Sequence, residues 1–233
     1  MSVRNFDFEN GEMLLIDKPQ NWTSFDVVKK LRYAIKVKKI GHAGTLDPLA
    51  TGLLIICTGK FTKKIDEYQG MNKTYEGVIE IGKTTPSYDL ETEFNSELGY
   101  AGVSVDELEK AARLQTGEFD QMPPIFSAIK VNGKRAYKSA RNNEDLKMKA
   151  RPVAIESFEL TKIALPEVYF KIVCSKGTYI RSMAHDFGTQ LGCGAYLKSL
   201  RRTAIGSYSV DAAYELQNFI SGIQRENSEI KID

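Results

Sequence analysis

The spacing of apolar residues along the chain predicts a mixture of short strands and helices. Residues 13–17 and 53–57 form apolar runs whose length fits buried strands. Between them, the Thr23-x-x-Asp26 pattern is typical of a capped helix start. The residues that follow it place apolar side chains at helical spacing (Val27, Val28, Leu31, Ala34 and Ile35). This stretch therefore predicts a strand, a helix and a second strand.

The remaining pattern continues the mixture. Further strands are predicted at residues 73–82, 127–131, 153–162, 167–174 and 197–210. Helices are predicted at about 61–68, from the Ser104-x-x-Glu107 capping pattern to near Gly117, from about Tyr179, and at 212–222. Residues 41–52 are punctuated by glycine and predict a loop. Because strands and helices do not alternate as regular βαβ units, we expect an α+β fold with a largely antiparallel sheet.

Composition places the chain among soluble globular proteins. Of its 233 residues, 42% are apolar and 27% are charged, which fits one domain with a core. No apolar run approaches the ~20 residues of a membrane span, and the first residues lack the apolar stretch of a signal peptide. Cys57, Cys174 and Cys193 show no metal-ligand spacing and are expected to be buried thiols. We therefore expect a cytoplasmic protein without a metal site.

The distribution of charge along the chain is more informative than the net charge. The net charge of only +2 comes from 32 basic and 30 acidic residues, but these are segregated. Residues 27–46, 130–151 and 171–202 are rich in Lys and Arg, whereas residues 76–120 are rich in Asp and Glu. Any single basic run is explained by a solvated helix face. Three such runs, with Tyr75, Tyr137 and Tyr179 in or near them, favour a face that binds nucleic acid.

The Leu46-Asp47-Pro48 sequence presents a carboxylate from a restricted backbone. Pro48 disfavours helical geometry at Asp47. The glycines around it permit unusual backbone angles or the close approach of a ligand (Gly41, Gly44 and Gly52). From residue types alone, an Asp that caps a turn is the favoured interpretation.

The full segment Gly41-His-Ala-Gly-Thr-Leu-Asp-Pro-Leu-Ala-Thr-Gly-Leu-Leu54 resembles the characteristic loop of the TruB family of tRNA pseudouridine synthases. Other segments resemble that family in the same order along the chain, from about residue 12 to 209. They are Leu14-Leu-Ile-Asp-Lys-Pro19, Lys73-Thr-Tyr-Glu-Gly77, residues 123–137, Cys174-Ser-Lys-Gly-Thr-Tyr-Ile-Arg181 and Leu200-Arg-Arg202.

The resemblance implies a pseudouridine-synthase fold, in which a mixed sheet is flanked by helices and carries an RNA-binding insertion at about residues 124–152. It implies a single catalytic domain over residues 1–233, with a core at about 12–210. Only 23 residues follow Val210, too few for the C-terminal PUA domain of many members. Within the insertion, residues 140–151 are polar and basic, and we expect them to be mobile without RNA.

The implied activity converts uridine to pseudouridine in tRNA, usually at position 55 in the T stem-loop. We expect no cofactor, no metal and no protein partner, and a monomer. Asp47 aligns with the essential aspartate. It either attacks C1′ of the ribose or removes a proton from C2′ to form a glycal, and the sequence leaves both routes open. Arg181 is the matching cation that would keep Asp47 ionised.

Four further residues acquire roles in substrate binding from the resemblance. Tyr75 is expected to stack on the target uracil, while Tyr179 and Leu200 line the uridine pocket. His42 would occupy the space that the flipped base leaves. Each of these residues taken alone is an ordinary core, strand or loop residue.

Several other polar residues receive weaker expectations. Arg201 and Arg202 would face RNA phosphate or the sheet surface, and Lys18 and Pro19 would support the loop. His185 and Asp186 receive no chemical role.

Two alternatives remain beside a stand-alone enzyme. One is a catalytic subunit guided by a separate RNA, which the missing PUA domain and Pro48-Leu-Ala-Thr-Gly52 disfavour. The other is a non-catalytic RNA-binding or RNA-remodelling module on the same scaffold. The presence of Asp47, Tyr75 and Arg181 together favours the enzyme.

Overall fold

A computed structural model describes residues 6–127, 130–131, 134–135 and 148–229 of the chain. Most of the segment expected to be mobile, and Tyr137, therefore lie outside the described residues. The chain divides into two compact units. Unit 1 comprises Met1–Thr74 and Arg201–Asp233, and unit 2 comprises Tyr75–Leu200.

Strands and helices are mixed along the chain. The strands are β1 (Met13–Lys18), β2 (Ile40–Ala43), β3 (Thr51–Thr58), β4 (Lys73–Ile81), β5 (Lys83–Thr84), β6 (Ser96–Glu97), β7 (Gly117–Gln121), β8 (Lys130–Val131), β9 (Lys134–Arg135), β10 (Arg151–Ala164), β11 (Glu167–Cys174), β12 (Ala195–Ile205), β13 (Tyr208–Ser209) and β14 (Tyr214–Glu215). The α-helices are α1 (Ser24–Ile35), α2 (Ile65–Gly70), α3 (Val105–Leu114), α4 (Ile180–Gln190) and α5 (Leu216–Glu229). Short 3₁₀ helices lie at Gly59–Lys64 and Val210–Ala212.

Unit 1 is built around β3. This strand pairs antiparallel with β1 and β2, and parallel with the end of β12, while β14 runs parallel to β1. Leu54 and Ile56 face a core that includes buried residues of α1 and α5. Leu53, Ile55 and Cys57 belong to a second core cluster. Because both faces of β3 are buried, its sequence is continuously apolar instead of alternating.

Helix α1 begins at the predicted capping pattern and ends before Lys36. Thr23 is the N-cap, and its side chain accepts a hydrogen bond from the Asp26 backbone N–H. The Asp26 carboxylate in turn accepts a hydrogen bond from the Thr23 backbone N–H. Lys36 ends the helix in a left-handed conformation. Val27, Val28 and Leu31 are buried, so the predicted apolar face is confirmed.

Unit 2 pairs β10 antiparallel with both β11 and β7, and β4 lies between β11 and β12 in strand order. The ring of Phe158 on β10 lies 6.0 Å from that of Phe170 on β11 and 5.8 Å from that of Phe187 on α4. These rings pack α4 onto the strands. Strands β4 and β12 each continue from one unit into the other.

The predicted α+β class with mostly antiparallel pairing is confirmed. Several details were wrong. The strand predicted at 197–210 ends at Ile205 and is followed by the separate strand β13, and the helix predicted at 212–222 begins at Leu216, after β14. The loop predicted at residues 41–52 begins inside β2, which is too short and too rich in small and polar residues to show a strand period. The single helix predicted at 61–68 is a 3₁₀ turn followed by α2. All three cysteines are buried and free. None of the helices in the described ranges is both long and apolar enough to cross a membrane.

Candidate active site

Asp47 lies in unit 1, in the loop of residues 44–50 between β2 and β3, which we call the Asp47 loop. The backbone on both sides of Asp47 is held by hydrogen bonds. Ser24 Oγ accepts from the N–H of Leu46 at 2.9 Å and donates to its carbonyl at 3.3 Å. The Pro48 carbonyl accepts from the N–H of Asn21 at 2.8 Å. The half-buried carboxylate is therefore presented from a fixed backbone.

Lys18 holds the same loop from the core of unit 1. Its side chain is fully buried, and Nζ donates to the carbonyls of Pro19, Trp22 and Pro48 at 3.0, 2.6 and 3.3 Å. Burial lowers the pKa of Lys18 to about 8, although the negative charge of Asp47 acts in the opposite direction. The expected supporting role agrees with the Pro48 contact. The electrostatic link to Asp47 is an addition that the sequence did not indicate.

Arg202 holds the other side of the loop and corrects a sequence expectation. Its side chain is buried, and it donates to the carbonyls of Leu53 at 2.8 Å and Gly44 at 3.1 Å. The prediction that Arg202 faces RNA or the sheet surface was wrong, because these carbonyls need an internal donor. Gly52 has φ +103°, and a Cβ there would lie 2.3 Å from the Arg202 carbonyl oxygen. Glycine is thus required where β3 meets β12.

Arg201, the neighbour of Arg202 on β12, is partly exposed. Its guanidinium contacts both carboxylate oxygens of Asp17 at 3.0 and 2.6 Å. This bidentate pair joins β12 to β1 within unit 1.

His42 lies on β2 and is half-buried. Its Nδ1 is buried and has no hydrogen-bond partner of good geometry among the described residues. The nearby backbone of Gly44 acts to raise the pKa of His42, but this is the smallest of the effects on it. Burial and then the positive charge of Arg202 lower the pKa of His42 below its ordinary 6.5. The imidazole is therefore neutral at pH 7.

The other predicted site residues lie in unit 2. Tyr75 is buried on β4, and Leu200 is half-buried on the neighbouring strand β12. Tyr179 is the N-cap of α4. Gln121 fixes the backbone of Tyr179, accepting from its N–H at 2.8 Å and donating to its carbonyl at 3.1 Å.

Arg181 lies in the first turn of α4 and is only 3% exposed. Its Nη1 donates to the carbonyl of Ser87 at 3.0 Å, and its Nη2 donates to that of Phe126 at 2.9 Å. Its Nε lies 3.6 Å from Oδ2 of Asp89, which is also buried. The pairing of Arg181 with Asp47 stays a prediction. The sequence did not single out Asp89, since it is one of eleven acids between residues 76 and 120.

Unit 1 thus carries His42 and Asp47, while unit 2 carries Tyr75, Tyr179, Arg181 and Leu200. A half-buried carboxylate on a fixed loop suits attack on a carbon or removal of a proton. Buried or half-buried tyrosine and leucine side chains suit the binding of a flat, partly apolar group.

Comparison with known proteins adds family evidence. Residues 32–180 match the model of the TruB family pseudouridylate synthase N-terminal domain. Residues 181–232 match that of the tRNA pseudouridylate synthase B C-terminal domain. The chain is 51% identical to tRNA pseudouridine synthase B of Flavobacterium johnsoniae over 225 residues, covering 94% of this chain and 98% of that protein. It is 46% identical to the protein of the same name from Chlorobaculum tepidum over 228 residues, covering 96% and 95%.

Solved structures show the same architecture. A chain from a Cbf5-Nop10-Gar1 complex matches with a TM-score of 0.70 and 25% identity, over 92% of this chain and 54% of that chain. A chain from an H/ACA RNP bound to a substrate RNA containing 2′-deoxyuridine matches with a TM-score of 0.69 and 23% identity, over 92% and 53%. This chain spans about half the length of those two chains, and the second match concerns the fold alone.

Proposed function

This chain belongs to the TruB family of pseudouridylate synthases, which isomerise uridine to pseudouridine in RNA, and we propose that its substrate is the uridine at position 55 in the T arm of tRNA. The observation that carries the proposal is the similarity to proteins named tRNA pseudouridine synthase B over nearly their whole length. The segment that resembles the family's characteristic loop contains Asp47 and lies within the residues that match the family model.

The reaction rearranges atoms without a net addition or loss. The N1–C1′ bond of the nucleotide breaks, the uracil turns, and a C5–C1′ bond forms. The hydrogen on C5 leaves as a proton, and N1 takes up a proton from solvent. No oxidant, reductant or group donor is needed for this balance.

We assign the central chemical role to Asp47. Its carboxylate either attacks C1′ or removes the C2′ proton, and in both cases it helps the uracil anion to leave. Ser24, Lys18 and Asn21 hold the backbone on either side of Asp47, which supports a fixed position for its carboxylate. Buried Lys18 interacts electrostatically with Asp47, so the loop is held by charge as well as by hydrogen bonds.

The remaining residues are assigned to binding. Tyr75 stacks on the uracil, Tyr179 and Leu200 line its pocket, and Arg181 contributes positive charge. His42 occupies the space that the flipped nucleotide leaves, and a neutral imidazole suits a place among stacked bases. We further propose that the enzyme is cytoplasmic and monomeric. Analytical ultracentrifugation of the purified chain would test the monomeric state.

The decisive experiment uses an unmodified tRNA transcript with tritium at C5 of its uridines. The wild-type chain is expected to release label from one uridine per tRNA, and replacement of U55 by cytidine should abolish that release. Asp47→Asn should bind the tRNA but slow release by at least about a thousandfold. Asp66→Asn, the same change at an exposed position on α2, is the matched control and should be active.

Each half of this experiment has an opposing result. If the wild-type chain binds tRNA without releasing label, the RNA-binding or RNA-remodelling module becomes the better account. If Asp47→Asn turns over at a rate near wild type, the role of Asp47 is wrong.

A further inference from the structure

Helix α1 exposes two large aromatic side chains that its packing does not require. Phe25 is 64% exposed and Tyr33 is 71% exposed. The buried face of the same helix is supplied by other residues (Ser24, Val27, Val28 and Leu31). An exposed aromatic ring offers a flat apolar surface on which another ring, such as a nucleic-acid base, can stack. The two rings on the outer face of α1 are therefore available to a ligand.

Basic residues share that outer face. At about 100° per residue, Phe25, Lys29, Arg32 and Tyr33 fall within an arc of about 100°, and Lys36 follows at the C-cap. All five are exposed. We call these five residues the α1 stripe.

The cations of the α1 stripe are not neutralised locally. In the described part of the chain, no carboxylate lies within ion-pair distance of Lys29, Arg32 or Lys36. The single acid of the helix, Asp26, is engaged by Thr23 in the capping box. Asp26 interacts electrostatically with Lys29, but it is one acid against three cations, so the stripe presents net positive charge beside two rings.

The α1 stripe begins beside the Asp47 loop. Ser24, which makes two hydrogen bonds to the backbone of Leu46, directly precedes Phe25. A helix of 12 residues is about 18 Å long, which matches about five phosphates of a stacked strand. The stripe thus starts next to the loop that carries Asp47, and along unit 1 it is long enough to contact several consecutive nucleotides.

We propose that the α1 stripe is an RNA-binding surface for the strand that flanks the target uridine. Lys29, Arg32 and Lys36 contact backbone phosphates, and Phe25 and Tyr33 stack on unpaired bases. This inference rests on the proposed function, because it takes the target nucleotide to be at Asp47. Interleaved rings and cations fit a polyanion with exposed bases. A protein partner would instead favour a contiguous apolar patch.

The charge of the stripe is tested with Lys29→Gln/Arg32→Gln. Binding is measured for full-length tRNA in an Asp47→Asn background, so that the RNA is not converted, across a series of salt concentrations. Loss of two phosphate contacts should weaken binding at low salt and reduce the slope of log K against log salt by about 1.4, the value for a single strand. Lys110→Gln/Arg113→Gln, the same charge change on exposed positions of α3, is the matched control and should leave the slope unchanged.

The rings are tested separately. Phe25→Ala and Tyr33→Ala should each weaken tRNA binding about fivefold or more, because each removes a stacking surface for a base. Phe25→Leu keeps an apolar side chain without a ring and should also bind more weakly. Because both positions are exposed, thermal melting should show all these variants folded.

The results separate this inference from the proposed function. Wild-type affinity and salt slope in the α1 variants, with tritium release by the unaltered chain, would overturn the α1 surface and leave the enzyme assignment standing. Weakened binding in these variants but not in the α3 control supports the surface, even if the unaltered chain released no label.

Discussion

Lys18 in unit 1 and Arg181 in unit 2 are two buried cations that hold their surroundings in different ways. Both donate to backbone carbonyls. Among the described residues, Lys18 Nζ donates hydrogen bonds only to carbonyls, and burial lowers its pKa to about 8. Arg181 also faces the carboxylate of Asp89. Lysine can lose its charge when buried whereas arginine cannot, and the buried carboxylate of Asp89 offsets part of the charge of Arg181.

Buried and exposed basic residues also differ in where they lie along the chain. Lys18, Arg181 and Arg202 lie in segments that resemble the family, and all three are buried. The exposed cations of the α1 stripe lie outside those segments. Lys18, Arg181 and Arg202 thus hold backbone carbonyls, whereas the RNA contact that we propose for α1 is made by exposed residues.

The largest effect on stability is expected from Arg181→Met. It leaves buried Asp89 without this cation and two carbonyls without their donors, so unfolding free energy should fall by about 3–5 kcal/mol. Urea denaturation measures the loss. The double variant Arg181→Met/Asp89→Asn should be less destabilised than the sum of the two single variants. A loss below about 1 kcal/mol for Arg181→Met would show that the Asp89 pair does not support unit 2.

The contacts of Arg181 with Asp89 and with two carbonyls could not be predicted from the sequence, although other features could. The α1 capping box and the buried strand β3 follow from local pattern, and both are confirmed. The pseudouridine-synthase fold expected from the resemblance is confirmed by the family models and the solved structures. Strand β2 was missed because its four residues, which include glycine and histidine, show no alternation of apolar and polar positions. Its pairing with β3 is what makes this segment a strand.

The candidate site depended on resemblance more than on pattern. From residue types alone Asp47 indicated a turn cap, and a turn is present, since the Ala50 N–H donates to the Asp47 carbonyl. The contact of Arg181 with Ser87 joins residues 94 positions apart, which no local pattern encodes. Long-range donors and acceptors of this kind appear only when the strands have assembled.

A smaller effect is expected at Lys18. Lys18→Met removes the Nζ group that donates to three carbonyls. In the described part of the chain no carboxylate hydrogen-bonds to this Nζ, so the free energy of unfolding should fall by only about 1–3 kcal/mol. Urea unfolding of both variants at one pH would test the order. A larger loss for Lys18→Met than for Arg181→Met would contradict the contrast between them.

The pH dependence sharpens the same contrast. The folded pKa of Lys18, about 8, is below its ordinary 10.5, so the unfolded chain binds more protons between these values. Stability of the wild type relative to Lys18→Met should therefore rise as the pH increases from 8 towards 10.5. Arg181→Met should show no such trend relative to wild type, because arginine stays protonated in this range. A flat difference for Lys18→Met would show that its pKa is not lowered.

The smallest effect on stability, with a separate effect on turnover, is expected at Ser24. Ser24→Ala removes both hydrogen bonds to Leu46 and should cost about 1 kcal/mol. Ser104→Ala removes the capping box of α3 in unit 2 and should cost about the same. Only Ser24→Ala should slow tritium release at saturating tRNA, because it loosens the backbone next to Asp47, and Ser24→Thr should restore part of the rate by supplying the hydroxyl again. Equal turnover in the two alanine variants would show that the Asp47 loop holds its geometry without Ser24, and that Lys18 and Arg202 suffice.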